Sequence, residues 1–154
     1  MHNFFSFHCD NTLIYCIFAK NCLMELCYKE ERDRDFFESC ESVRKNAHPN
    51  YMSAYEIVKQ VINKETKSFY LDTMSIAHII NKARIGCMSR IKSIATKNMY
   101  VEIWIRYIQI KRKNPKFNSM DCARIIAEQS APQFYLSEKH AINLYYKLLK
   151  SNPK

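Results

Sequence analysis

Apolar residues recur at intervals of three and four along most of this chain, which is the spacing of one face of an α-helix. A first helix is predicted over 29–45, where acidic residues come early and basic residues late, as the helix dipole favours. Its apolar face is formed by Phe36, Phe37, Cys40 and Val43. Residues 46–50, which include a proline, are expected to end this helix.

A second amphipathic helix is predicted to follow that break and to run through 53–64. Ser53 is a candidate N-cap, because its hydroxyl can accept a hydrogen bond from a backbone N–H of the first turn. The predicted inward face consists of Ile57, Val58, Val61 and Ile62.

A third helix is predicted after an extended aromatic segment, Phe69, Tyr70 and Leu71. Alternate side chains of an extended segment point in opposite directions. We therefore expect Phe and Leu to enter the core while Tyr faces outward, or the reverse. Asp72 is the candidate N-cap of this helix, which is predicted to end near Arg84.

The same order of elements recurs further along the chain. Residues 68–82 and 133–147 both contain Phe-Tyr-Leu, a short polar residue and a helix-like apolar run, and Phe69 and Phe134 stand 65 positions apart. The sequence therefore predicts an all-α protein made of two copies of a three-helix unit, packed as one globule. Each unit consists of a helix, a proline turn, a helix, the extended Phe-Tyr-Leu segment and a last helix.

The second copy is predicted to contain helices over 98–113, over 119–129 and from Glu138 to about Lys150. The β-branched residues of the first would also permit a strand, but its correspondence with the first copy favours a helix. Its apolar face is Tyr100, Ile103, Trp104, Tyr107 and Ile108, and the last helix turns Ala141, Leu144, Tyr145 and Leu148 inward.

These patterns divide the chain into an N-terminal segment 1–23, a first unit 24–86, a basic connector 87–98 and a second unit 99–154. The N-terminal segment is either an apolar arm that packs on the body or on a partner, or an over-extended start. The second interpretation is favoured, because an orderly charged amphipathic pattern begins at Met24. The apolar run of this segment is too short to span a membrane, and we expect no membrane association.

Composition supports the helical interpretation. One glycine and four prolines in 154 residues argue against sandwiches and barrels, whose tight turns use both. An apolar content of 47% is enough for a packed core, and units of about 55 residues are marginal alone, so a shared core is expected.

The cysteines do not indicate a metal site. There are seven, and none forms a C-x-x-C pair. Structural zinc sites need close ligand pairs, which neither the cysteines nor the five histidines supply, so we expect no metal and no cofactor. Reduced cysteines are typical of cytoplasmic proteins.

Two stretches of the second half resemble the signatures of a family of small gut-bacterial proteins with a tandem pattern. Val101–Tyr107 is similar to an E-I-Y-R-R helix, and Ala131–Ala141 is similar to an A-P-K-F-Y-L-T-x-x-S-A motif. In the first copy Ser68 stands where the family's R-F-W-V-S-E-E-R-A motif begins with arginine. The resemblance covers roughly 24–150 and implies the duplicated fold, without any activity.

The charge is distributed unevenly along the chain. The formal net charge is +9; residues 1–81 contain 9 Lys and Arg against 11 Asp and Glu, and residues 82–154 contain 15 against 4. Such asymmetry suits nucleic acid, because neutralised phosphates release counterions. The alternative is a solvated basic face that serves solubility.

Repeated three-helix units with a basic surface suggest helix-turn-helix modules, with DNA favoured over RNA as the ligand. The last helix would then enter the major groove, although the loop 130–137 that precedes it is longer than the turn of that motif. The predicted contact residues are Arg106, Lys111, Arg112, Lys113, Lys116, Lys139, His140, Asn143, Lys147 and Lys150.

The alternative function is a protein-interaction adaptor or inhibitor module without catalytic activity. Ten tyrosines, nine phenylalanines and one tryptophan favour it, since exposed aromatic residues anchor interfaces. We do not expect an enzyme. A single glycine excludes phosphate-cradling loops, and no catalytic motif is present.

Overall fold

The computed structural model describes the backbone of residues 11–47 and 52–151 and the side chains of 27–47 and 52–151. The first ten residues, which belong to the predicted N-terminal segment, lie outside the described part. The all-α prediction is confirmed. The helices are α1 (Asn11–Asn46), α2 (Ala54–Ile62), α3 (Thr73–Arg84), a 3₁₀ turn (Cys87–Arg90), α4 (Ile94–Lys113), α5 (Ser119–Ala127) and α6 (Glu138–Ser151).

Polar side chains fix where the short helices begin. The Ser53 hydroxyl accepts from the Glu56 N–H at 3.3 Å, and the Glu56 carboxylate accepts from the Ser53 N–H at 2.8 Å, forming a capping box. The Asp72 carboxylate accepts from the Ser75 N–H at 2.7 Å. Both predicted caps are therefore confirmed. In the second half Asn118 is the cap of α5, and its side chain accepts from the backbone N–H groups of Met120 and Asp121.

Two helices are longer than predicted. α1 is continuous over Asn11–Asn46, because no proline or glycine interrupts this range, so residues 11–23 of the predicted N-terminal segment belong to α1. α4 begins at Ile94, where the Ser93 hydroxyl accepts from the Thr96 N–H at 3.3 Å. The predicted connector therefore contains the 3₁₀ turn and the first turn of α4.

The core consists of two clusters, and each combines helices from both halves of the sequence. In what we call the first lobe, α6 packs on α1 and α2. In the second lobe, α3 packs on α4 and α5. Among the described residues, the last helix of each half thus packs chiefly with the first two helices of the other half. The α5–α6 pairing expected for a helix-turn-helix module is not observed.

This arrangement requires the two segments that precede α3 and α6 to cross. We call 65–72 and 130–137 the crossing segments. The Thr66 N–H donates to the Ala131 carbonyl at 2.8 Å, and the Ala131 N–H donates to the Thr66 carbonyl at 3.1 Å. These two residues form an isolated antiparallel bridge. A further backbone bond, from the Phe134 N–H to the Ile62 carbonyl at 3.1 Å, ties the second crossing segment to the end of α2.

The tyrosine of each crossing segment has a left-handed backbone, with φ of 52° at Tyr70 and 51° at Tyr135. This conformation breaks the alternation expected of an extended segment. Phe69 and Tyr70 are both buried, in different lobes, so the prediction that one of them faces outward is wrong. The Phe69 ring stacks on Tyr135 at 6.0 Å, and the Tyr70 ring stacks on Phe134 at 6.2 Å, each with 10° between planes.

The edge-to-face pair of Phe36 and Phe134, with ring centroids 5.5 Å apart at 79°, provides a test of this packing. In a double-mutant cycle on Phe36→Leu and Phe134→Leu, urea unfolding should give a coupling free energy of about 0.5–1.5 kcal/mol. The matched cycle on Phe36 and Phe69, which lie in different lobes, should give less than about 0.5 kcal/mol. Equal coupling in the two cycles would contradict the packing of each last helix against the first two helices of the other half.

Candidate nucleic-acid interface

Eight of the ten residues predicted to contact nucleic acid are exposed. No salt bridge joins any of them to another described residue, so their charges face solvent. Those at the α4–α5 corner and those on α6 belong to different lobes. The eight are Arg112, Lys113, Lys116, Lys139, His140, Asn143, Lys147 and Lys150.

The prediction that Arg106 grips phosphate conflicts with its surroundings. Its side chain is 18% exposed, and Nε donates to Glu102 at 2.8 Å. Nη1 donates to the Ser130 carbonyl at 2.6 Å and to Gln129 Oε1 at 3.2 Å. The guanidinium carbon lies 4.8 Å from the centre of the Phe69 ring. Arg106 therefore fastens α4 to both crossing segments, and its donors are engaged within the protein.

Lys111 is also engaged within the protein. Its ammonium donates to the carbonyls of Pro115 and Phe117, at 2.6 Å each. These bonds hold the turn between α4 and α5 and satisfy backbone acceptors near the end of α4. The predicted phosphate contact by Lys111 is therefore not supported by its position. Arg112, Lys113 and Lys116 are the exposed cations of this corner.

The C-terminal part of α6 lies beside a cavity whose α1 lining contains three carboxylates and the guanidinium of Arg34. Leu148 lines this cavity of about 520 Å³ together with Glu30, Asp33 and Glu38 of α1. These carboxylates reduce the attraction for phosphate at that end.

Five cations that were not among the predicted contact residues lie from the end of α3 through the connector to the first turn of α4. No acidic residue occurs between Asp72 and Glu102. Within the described residues, none of the cations in this interval forms a salt bridge. The absence of acids was visible in the sequence and could have identified this site. The cations are Lys82, Arg84, Arg90, Lys92 and Lys97.

A cavity of about 540 Å³ joins the connector to the beginning of α6. Lys92 and Ser93 line it from the connector, and Ser137 and Glu138 line it from the start of α6. The Ser137 hydroxyl accepts from the His140 N–H at 3.3 Å, so α4 and α6 both begin beside this cavity. Helix N-termini carry partial positive charge, which adds to that of the connector.

Burial keeps the Tyr135 phenol and two cysteine thiols of the core protonated at neutral pH. Burial, with a smaller effect of Glu102, raises the pKa of Tyr135 to about 12. Burial raises the pKa of Cys40 to about 12, with a smaller effect of Glu41, and burial also raises the pKa of the Cys122 thiol. At neutral pH these thiols are not thiolates, and they are poor nucleophiles.

Comparison with protein-family models, curated proteins and solved structures gives no match. The resemblance to the gut-bacterial family and the internal duplication therefore stay predictions. Over the described residues, no group of three His, Cys, Asp or Glu side chains is arranged to hold a metal ion. None of the described helices combines the length and apolarity needed to cross a membrane.

Replacing Arg106 with lysine tests its structural role. Lysine cannot reproduce the forked bonds to Glu102 and the Ser130 carbonyl, so Arg106→Lys should lower the free energy of unfolding by about 1–3 kcal/mol in urea denaturation. The matched substitution Arg112→Lys, at an exposed position six residues further along α4, should change the free energy of unfolding by less than about 0.5 kcal/mol. Equal effects of the two substitutions would show that Arg106 is not a structural residue.

Proposed function

We propose that this protein binds nucleic acid through the basic connector and the exposed face of α6. The observation that carries the proposal is the run of five unpaired cations between Asp72 and Glu102, uninterrupted by any acid. A surface of this kind attracts phosphates and gains free energy from counterion release, without reading sequence. The cavity shared by Lys92 and Ser137 makes the connector and the start of α6 one surface.

The exposed face of α6 supplies the second part of the proposed interface. Positions 139, 143, 147 and 150 follow one another at helical intervals and are all exposed. A 14-residue helix is about 21 Å long, which suits the major groove of duplex DNA, and DNA is therefore proposed over RNA. α1 and α2, in place of a preceding helix of the same unit, would present this helix. The residues that would contact the ligand are Lys139, His140, Asn143, Lys147 and Lys150.

The α4–α5 corner is a secondary contact in this proposal. Arg112, Lys113 and Lys116 are exposed there, at the opposite end of α4 from the connector. A 20-residue helix separates the two basic surfaces by about 30 Å. A ligand that reaches both must therefore span about one turn of duplex DNA.

The second candidate function is a non-catalytic protein-interaction module, either an adaptor or an inhibitor. It is favoured by three exposed apolar residues on the outer face of α4: Ile94 at 77% exposure, Val101 and Ile105. Their helical spacing would let them contact one partner surface together. Both candidates are proposed to act in the cytoplasm, without a cofactor or a catalytic step.

The proposal predicts salt-dependent binding in fluorescence anisotropy with labelled duplex DNA and single-stranded RNA. Affinity should fall steeply between 50 and 200 mM salt, by about tenfold or more for several phosphate contacts. The triple variant Arg90→Glu, Lys92→Glu, Lys97→Glu should weaken binding most. Charge reversal at Lys139 and Lys147 should weaken duplex binding next.

The matched control reverses the same number of exposed charges in the first lobe, at Lys45, Lys59 and Lys64. It should retain most of the affinity, although the net charge of the protein falls equally. If control and connector variants lose affinity in parallel, binding depends on overall charge and the assigned surface is wrong. Absence of binding at micromolar protein in low salt contradicts the proposal and favours a protein partner.

A further inference from the structure

The two lobes place corresponding residues in corresponding surroundings, although the spacing differs between elements. Partners in the crossing segments are 65 positions apart, as Thr66 and Ala131 are. Between α1 and α4 the spacing is 67, which pairs the buried residues Phe36 and Cys40 with Ile103 and Tyr107. The numbers of positions between the helices account for the difference of two: α1 ends seven positions before the N-cap of α2, and α4 ends five positions before the N-cap of α5.

This correspondence pairs Arg106 of α4 with Ser39 of α1. Arg106 fills the space between Glu102, the second crossing segment and the Phe69 ring. Ser39 is too short to do the same. Its hydroxyl donates to the Asp35 carbonyl at 2.8 Å, within its own helix.

A cavity of about 340 Å³ occupies the corresponding position in the first lobe. The residues that surround Arg106 in the second lobe are Glu102, Gln129, Ser130 and Phe69. Their counterparts, which all line the cavity, are Asp35, Lys64, Glu65 and Phe134. The first lobe therefore has an open cavity with a carboxylate and an aromatic ring where the second lobe holds a guanidinium.

The chemistry of the cavity centres on Asp35, which is 6% exposed. The Tyr70 hydroxyl donates to Oδ2 at 2.9 Å, and the Lys67 ammonium donates to Oδ1 at 3.1 Å. The Arg34 guanidinium, whose side chain is largely exposed, lies 3.9 Å from the same Oδ1. Burial, followed by the bond to Asp35, raises the pKa of Tyr70, so the phenol stays a donor at neutral pH. The Lys67 side chain is 71% exposed, so it can leave the carboxylate at little cost.

We infer that this cavity binds a guanidinium group, presented by an arginine side chain of a partner polypeptide. The guanidinium donates to Asp35 and stacks on the Phe134 ring, as Arg106 stacks on Phe69 in the other lobe. Its planar fork suits both contacts, whereas an ammonium suits only the first. Glu38 and Glu65 add negative charge at the rim, against the positive charge of Lys64 and Lys67.

An NMR titration of the ¹⁵N-labelled protein from Met1 to Lys154 tests this site with two probes, N-acetyl-arginine-N-methylamide and its lysine analogue. The arginine probe should shift the amides of Ser39, Lys67 and Tyr70 in a saturable manner. Its dissociation constant should be lower than that of the lysine probe by about tenfold. Equal affinities for the two probes overturn the inference. Free arginine should bind more weakly than the capped probe, and tighter binding of free arginine overturns the assignment to a polypeptide.

Two variants link the shifts to the cavity. Ser39→Arg places a guanidinium there within the chain, so it should abolish binding of the arginine probe and raise the melting temperature. Asp35→Asn removes the carboxylate and should weaken binding by at least about tenfold. The matched control Asn46→Arg adds the same charge to α1 outside the cavity and should leave binding unchanged. Equal loss in Ser39→Arg and Asn46→Arg overturns the inference. The test involves no nucleic acid, so its outcome is separate from that of the proposed function.

Discussion

The crossing of two short segments determines how the rest of this molecule is arranged. Thr66 and Ala131 bond to each other through both backbone groups, so neither polar backbone is left unsatisfied where the segments meet inside the protein. The left-handed tyrosines then redirect the chain, and each last helix enters the lobe built by the other half. Such a backbone costs about 1 kcal/mol or more per residue and persists because the stacked rings on either side hold it.

Because each last helix packs in the lobe of the other half, some charged side chains are engaged within the protein and others remain exposed. Arg106 lies over the Phe69 ring of the first crossing segment and is engaged within the protein. Its counterpart Ser39 is too short to fill the corresponding space, which is a cavity beside Asp35. α6 lies on the acidic α1, whereas its first turn lies beside the connector. Exposed cations without a salt bridge to a described residue are therefore found at the connector, and the cavity beside Asp35 lies in the first lobe.

Local features of this fold could be predicted from the sequence, and non-local ones could not. Helix spacing and the caps Ser53 and Asp72 depend on neighbours within four positions, and both were correct. The packing of each last helix in the other lobe depends on hydrogen bonds between Thr66 and Ala131, 65 positions apart, and on positive φ at the two tyrosines. The spacing of apolar residues along the chain does not indicate either feature. The sequence did not reveal that Arg106 is engaged, because Gln129 and Ser130, which accept its hydrogen bonds, lie 23 and 24 positions away. The positive charge of the connector could be predicted from the sequence, since no acidic residue occurs between Asp72 and Glu102.

The exchanged packing is tested most directly by nuclear Overhauser effects between methyl groups. On a sample with labelled Ile, Leu, Val and Ala methyls, cross-peaks should join Ala141 and Leu144 of α6 to Val58 and Val61 of α2, because all four belong to the first-lobe core. Cross-peaks from the α6 methyls to Ile126 of α5 in their place would mean that each half folds on itself. The crossing would then be wrong, and so would the correspondence between Arg106 and Ser39.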